Sequence, residues 1–207
     1  MAFGRIIRSF LAPETHPRGL TFDGRTLWCS DTDNNRIYQI DPETGRAIRF
    51  FASPGPFPLD LAFDGRWLWN SDLDDFIYQF DPETGRTIRR FAAPRTEPGG
   101  LTFDGRTLWH GDGVLPNRIY QIDPETGRTI RFFASPTITP QGLAWDGRTL
   151  YHCESKTDLI YQIDPATGTV IRSAACPAAD PRGLTFDGRT LWYCDVGTRT
   201  IYQIAVS

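Results

Sequence analysis

Methionine is almost missing from this chain, with one residue in 207. Long apolar runs are missing altogether: no stretch reaches the eighteen or so residues that a membrane-crossing helix requires. The opening residues lack the basic, apolar and small-residue succession of a secretion signal. The expectation is a soluble chain, cytoplasmic by default or secreted with its signal already removed. Cysteine is sparse, and Cys29, Cys153, Cys176 and Cys194 form no CxxC pair and keep no regular interval. That argues against a disulfide framework or a paired-cysteine metal site, and free buried thiols are expected instead. A strong charge imbalance is also lacking, since 22 Lys and Arg stand against 25 Asp and Glu. A nucleic-acid partner is therefore not expected, nor a membrane.

What the chain does have is repetition. "FDG" occurs at Phe22, Phe63, Phe103 and Phe186, with "WDG" at Trp145, so Asp23, Asp64, Asp104, Asp146 and Asp187 recur every 40 to 42 residues. "IYQ" keeps the same step at Ile37, Ile77, Ile119, Ile160 and Ile201, and "DPETG" or "DPATG" starts at Asp41, Asp81, Asp123 and Asp164. Within one unit, "GLTFD", "TLWCSD", "RIYQI" and "AIRFFA" are short β-branched and aromatic runs bounded by turn residues, which reads as four strands. "DGR" places glycine where a tight hairpin needs positive φ, and "DPETG" is a proline-initiated turn closed by glycine. A four-stranded meander of this period, repeated in tandem, predicts an all-β chain folded as a β-propeller.

The fifth unit stops after its third strand, at Thr200 to Ile204, and the chain opens with "GRIIRSFLAP", the phrase that elsewhere forms the outermost strand. The expectation is one domain over 1–207, a five-bladed propeller whose last blade is closed by the N-terminal strand. Its blades are expected at about 17–54, 58–94, 98–136, 140–177, and 181–207 plus 4–13. Such a chain is expected to be a monomer.

The repeat "GLTFDGRTLWCSDTDNNRIYQIDPETG" resembles those of NHL and virginiamycin B lyase-like propellers. The likeness covers nearly the whole chain but lies in scaffold residues; the lyases are seven-bladed, and no copy of their catalytic set is present. One blade, "QGLAWDGRTLYHCESKTDLIYQID" from Gln141 to Asp164, is also similar to the repeat of plant-type glutaminyl cyclases, a five-bladed family. There a Gln-Gly-Leu phrase precedes Leu-Tyr-Glu; here His152 and Cys153 intervene between Tyr151 and Glu154, which displaces the carboxylate along the strand. These resemblances imply a cyclase-like or lyase-like enzyme as the alternative to a binding module.

Positions filled alike in every blade read as scaffold. They include the aromatics led by Phe22, Trp28 and Tyr38, and the glutamines Gln39, Gln79, Gln121, Gln162 and Gln203, expected to bond a neighbouring blade's backbone. Arginines on the outermost strands (Arg8, Arg49, Arg89, Arg90, Arg131 and Arg172) read as guards against edge-to-edge pairing. The repeated turns share one face. The second-to-third loops and the blade crossovers share the other, where the differences collect and acids outnumber bases.

On that variable face Asp31, Asp72, Asp112, Glu154 and Asp195 occupy equivalent places. They read mainly as a structural ring stapling the loops, with the holding of a hard cation as the functional alternative. Two residues earlier stand Cys29, Asn70, His110, His152 and Tyr193. His110 and His152, in adjacent blades, are candidates to face a common ligand. With His16 they lack the spacing of metal ligands, so neither a metal nor another cofactor is expected. Asp60 replaces a glycine otherwise repeated as Gly19, Gly100, Gly142 and Gly183, and beside it come Arg18, Leu59, Gly99, Gln141 and Arg182. The candidate ligand-binding set is thus Arg18, Asp60, Gln141, Arg182, His110, His152 and Glu154. The first reading is a scaffold binding a small polar ligand or peptide at the axial mouth. The second is an enzyme using His110, His152 or Glu154 as acid and base, and the third a recently amplified or designed repeat with no evolved ligand.

Overall fold

Runs of five or six β-branched and aromatic residues cannot build a helix, and glycine turns cut them off at each end. In the computed structural model, which describes residues 2–206, they form twenty strands and no helix. Blade one contains β2 (Pro17–Phe22), β3 (Leu27–Asp31), β4 (Arg36–Ile40) and β5 (Ala47–Ala52). Blade two contains β6 (Pro58–Phe63), β7 (Leu68–Asp72), β8 (Phe76–Phe80) and β9 (Thr87–Ala92). Blade three contains β10 (Pro98–Phe103), β11 (Leu108–Asp112), β12 (Arg118–Ile122) and β13 (Thr129–Ala134). Blade four contains β14 (Gly142–Trp145), β15 (Leu150–Glu154), β16 (Leu159–Ile163) and β17 (Val170–Ala175). The fifth sheet runs β18 (Pro181–Phe186), β19 (Leu191–Asp195), β20 (Thr200–Ile204) and finally β1 (Ile6–Leu11). The chain is a five-bladed β-propeller whose N-terminal strand joins the last sheet.

β1 reproduces the register of the strand it replaces. Arg8 faces Gln203, and an extra residue, Ile7, bulges before Ile6 meets Ile204; Arg49 likewise faces Gln39, with Ile48 bulged before Ala47 meets Ile40. Phe10 leans on Trp192 at 5.8 Å between ring centres, as Phe51 leans on Trp28 at 5.8 Å. Where blade four has the small Ala174 in that place, Phe3 packs edge-on against Tyr151 at 6.0 Å.

The hairpin aspartates organise their own turns. Asp23 accepts bonds from the N–H groups of Arg25 (2.8 Å) and Thr26 (2.6 Å) and from Trp28 Nε1 (2.8 Å), while Gly24 turns the chain at φ 93°. Burial raises the Asp23 carboxyl, yet these bonds together outweigh it and hold the group below its ordinary range.

The outer arginines do something other than guard an edge. Thr26 Oγ1 accepts from Gln39 Nε2 (2.9 Å), Gln39 Oε1 accepts from Arg49 Nε (2.7 Å), and Arg49 then donates to the carbonyls of Pro82 (2.9 Å) and Glu83 (3.0 Å) in the next blade's turn. Arg89 reaches the Glu125 carbonyl, Arg131 that of Ala166, Arg172 that of Val206, and Arg8 that of Pro42. The glutamines therefore bond within their own blade, and Gln39, Gln79, Gln121 and Gln162 each hold the arginine that clamps the neighbour, whereas Arg8 reaches across without a bond from Gln203. Only Arg90 departs, donating to the Tyr78 hydroxyl at 3.0 Å and lying over the Phe76 ring at 4.1 Å.

Deleting residues 1–11 should strip the outer strand from blade five, expose the β20 edge and unseat Phe10 from Trp192. The expected result is loss of cooperative melting or of solubility, read by circular dichroism and light scattering. A truncated chain that stays monodisperse and melts unchanged would contradict closure by β1.

Candidate axial mouth

The inner strands come so close at the axis that most of them have no room for a side chain. A Cβ on Gly19 would stand 2.3 Å from the Leu59 carbonyl, and one on Gly142 2.2 Å from that of Arg182. Asp60 is the exception, and it is a plug. Fully buried, its carboxylate accepts the backbone N–H groups of Leu20 (3.2 Å), Leu101 (2.8 Å) and Leu143 (3.1 Å), one each from blades one, three and four. Burial pushes its pKa well up, opposed by these bonds and one from Leu61. Asp60 thus lies below the mouth rather than at it, with its oxygens committed to the ring.

Above the plug each crossover contributes an X-Pro-X triplet. The residues after proline, Arg18, Leu59, Gly99, Gln141 and Arg182, form an inner ring, and His16, Phe57, Glu97, Thr139 and Asp180 precede the prolines as an outer one. The ring of carboxylates holds these triplets. Asp31 accepts from His16 N (2.8 Å) and Asp33 N (3.0 Å), Asp72 from Phe57 N (3.1 Å), Asp195 from Asp180 N (2.7 Å) and Thr198 N (2.7 Å), and Glu154 from the hydroxyls of Thr139 (2.7 Å) and Thr157 (2.7 Å). In blade three Asp112 accepts instead from Arg118 N and the Tyr120 hydroxyl, both at 3.0 Å, with Arg95 at 3.6 Å. Every one of these acids serves its own loop. Among the described residues no group of three or more His, Cys, Asp or Glu is placed to hold a metal ion.

A second set of bonds rivets blade to blade just beneath the inner ring. Ser30 accepts from Gly19 N (2.7 Å) and donates to the Leu59 carbonyl (2.5 Å); Ser71 accepts from Asp60 N (3.1 Å) and donates to the Gly99 carbonyl (2.7 Å). The Cys153 thiol donates to the Arg182 carbonyl of the next blade at 3.0 Å, while Cys194 accepts from Gly183 N within its own blade at 3.2 Å. Reading the sequence by charge overlooked these residues. Their signal is a column of small side chains, Ser30, Ser71, Gly111, Cys153 and Cys194, each just before a carboxylate.

The mouth itself is a depression of about 390 Å³ lined by Arg18, Gln141 and Arg182 together with Leu59, Leu73 and Glu97. Arg182 pairs with Asp180 at 2.7 Å. Arg18 has no ion pair among the described residues, and its Nε is buried without an acceptor. Burial, and then the charge of Arg182, lower its pKa. Two guanidiniums thus stand side by side with one carboxylate between them.

His110 and His152 lie elsewhere, with no exposed surface. Neither ring nitrogen of His110 has a partner, whereas His152 Nε2 is 2.6 Å from Thr137 Oγ1 and its ring stacks on Tyr161 at 5.8 Å. Burial drives both pKa values down to about 4, opposed for His152 by the charge of Glu154. The structure therefore brings Arg18, Gln141 and Arg182 together at the mouth, sinks Asp60 beneath them, buries the two histidines completely, and ties Glu154 to its threonines.

No protein-family model matches the chain, and no curated protein sequence matches it either. Solved structures do resemble it. A glutaminyl cyclase from Myxococcus xanthus superposes with a TM-score of 0.81 at 17% identity, covering 97% of this chain and 94% of the other. A chain of a nidogen–laminin complex gives a TM-score of 0.66 at 19% identity over 92% of this chain and 76% of the other. A virginiamycin B lyase from Staphylococcus aureus gives 0.58 at 21% identity over 94% and 68%. At such identities the likeness is one of fold, and the cyclase shares its extent as well.

Two outcomes are expected. Asp60→Ala leaves three buried N–H donors without an acceptor, at roughly 1–3 kcal/mol each, so chemical denaturation should show a loss of several kcal/mol. An unchanged midpoint would exclude the plug. The histidines give a pH effect whose sign is definite: a base depressed in the folded state contributes stability above its unfolded pKa of about 6.5, lost as pH falls through about 4. His110→Leu should flatten the decline in stability across that window by about 3 kcal/mol, seen in denaturation curves at successive pH values.

Proposed function

We propose that the chain is a binding module whose axial mouth holds a small ligand carrying a carboxylate. The observation that carries this reading is Arg18, a half-buried guanidinium with no ion pair among the described residues and a buried Nε without an acceptor, beside Arg182 on a depression large enough for a small molecule. Arginine's planar fork suits a carboxylate, and the buried Nε of each arginine is still without an acceptor. Gln141 adds an amide able to donate or accept. The plug, rivets and stapled loops set these side chains on rigid strands, so little ordering is needed on binding.

An enzyme of the cyclase kind is the second reading, favoured by the superposition on the Myxococcus xanthus glutaminyl cyclase over nearly the whole of both chains. Against it stand the positions of the expected acids and bases. His110 and His152 have no surface exposed to a substrate, and Glu154 spends both oxygens on Thr139 and Thr157. A direct assay for glutaminyl cyclase activity separates the two: turnover by the wild type, lost on changing Arg18 or Gln141, would replace the binding reading.

Thermal shift with acetate, benzoate and succinate tests the module. A carboxylate at a hundred times its dissociation constant should stabilise the fold by about 2.7 kcal/mol, with amides of the same acids inert. Arg18→Ala and Arg182→Ala should abolish the shift while changing unliganded stability by no more than about 0.5 kcal/mol. Carboxylates that shift neither the wild type nor the variants would leave the plain repeat scaffold as the better description.

A further inference from the structure

Taking the Arg18–Arg182 carboxylate site as given, we infer that its ligand is a zwitterion, a short peptide with both ends free whose ammonium group sits against Glu97. The inner strands touch in chain order around the ring, β18 returning to β2. In a ring of five, blade three stands opposite the junction of blades five and one. Glu97, in the crossover of blade three, therefore lies across the axis from the arginine pair of blades one and five, and it lines the same depression.

Three features mark Glu97 as more than a solvated surface acid. It forms no ion pair among the described residues. Its backbone is held at φ 56°, a left-handed conformation uncommon outside glycine, where strain is a reason to look for function. That conformation is fixed from both sides, since Glu97 N donates to Asp75 Oδ1 at 3.2 Å and its carbonyl accepts from Gly113 N at 2.8 Å. The inner-ring residue of blade three is Gly99, so no side chain stands between Glu97 and the axis. Asp60 is the acid that the sequence pattern suggests for an opposing charge; in the fold that role passes to Glu97.

The charges then balance in space. Arg18 and Arg182 less Asp180 leave one positive charge on one side of the mouth, and Glu97 leaves one negative charge on the other. A free amino acid carries its two charges on one carbon and cannot span a ring. Each added residue extends the separation by roughly 3.3–3.6 Å, and a di- or tripeptide is the smallest peptide that carries its two charges on different residues. Leu59, Leu73, Pro98 and Pro140 line the interval, and Leu73 is 52% exposed, which suits an apolar side chain near the middle of the peptide.

Calorimetric titration with alanyl-leucine, its N-acetyl form and its C-terminal amide tests the inference and the underlying site separately. Alanyl-leucine should bind more tightly than either blocked form. Because Glu97 is exposed and screened, blocking the amine should weaken binding on the order of threefold. Glu97→Gln should bring alanyl-leucine to the affinity of its N-acetyl form and leave the N-acetyl form unchanged. Equal binding of the free and acetylated peptides, or loss of both on Glu97→Gln, overturns the zwitterion while leaving the arginine site standing. Equal binding of the free peptide and its amide overturns the arginine site itself. If no dipeptide binds although simple carboxylates do, the peptide ligand is wrong and the carboxylate site is right.

Discussion

Five strands can meet around one axis only if almost nothing but main chain stands between them. That close approach governs the rest of this molecule. It demands glycine at four of the five innermost positions and leaves inward-pointing N–H groups that need an acceptor. Asp60 meets the need from a single blade. A buried carboxylate is costly, and the upward push on its pKa records that cost. Charge-assisted bonds from three other blades offset it, at roughly 1.5–3 kcal/mol each. The hub is thus a balance of large terms, and it is also what seals the axis beneath the mouth.

Everything at the mouth is placed by that seal. The glycines bring the chain past the axis, the strand residues after three of the hub positions lock into the plug, and the residues just before the hub positions are carried outward as a ring of five, four of them with side chains. Rivets such as Ser30 and Ser71 hold the carbonyls of that ring from the preceding blade, and Asp31, Asp72 and Asp195 hold the triplets from their own. In blades one, two and five the scaffold therefore speaks to main-chain atoms here, and the side chains of the inner ring are free to differ. They do: arginine in blades five and one, leucine in two, nothing in three, glutamine in four.

Much of this was legible before any coordinates. Period, turn residues and the displaced "GRIIRSFLAP" phrase define the blades because hairpins and aromatic wedges recur wherever packing recurs. Arg18, Gln141 and Arg182 stood out for the converse reason, as departures from the pattern. Depth was not legible. Asp60 and Arg18 are both departures beside the axis, but adjacent strand residues point to opposite sides, and only the fold shows that one is swallowed and the other presented. His110 and His152 misled in the same way, because a polar residue on a variable strand position looks available until the fold buries it. The arginine clamps escaped notice because their acceptors are carbonyls, which leave no trace in a sequence.

That last point bears on how such a ring can grow. At the rim, Arg49, Arg89, Arg131 and Arg172 grip carbonyl oxygens that any residue would supply. A duplicated blade finds its clamp ready wherever it is inserted, and copies can drift in sequence without loosening. The hub obeys the opposite rule. It accepts one carboxylate, and a second at an equivalent place would meet the backbone of the next blade and the charge of the first. The blade that bears Asp60 cannot be copied. A ring assembled from five identical single-blade chains would have to choose between five acids at its centre and none, so this hub is available only to blades joined in one polypeptide.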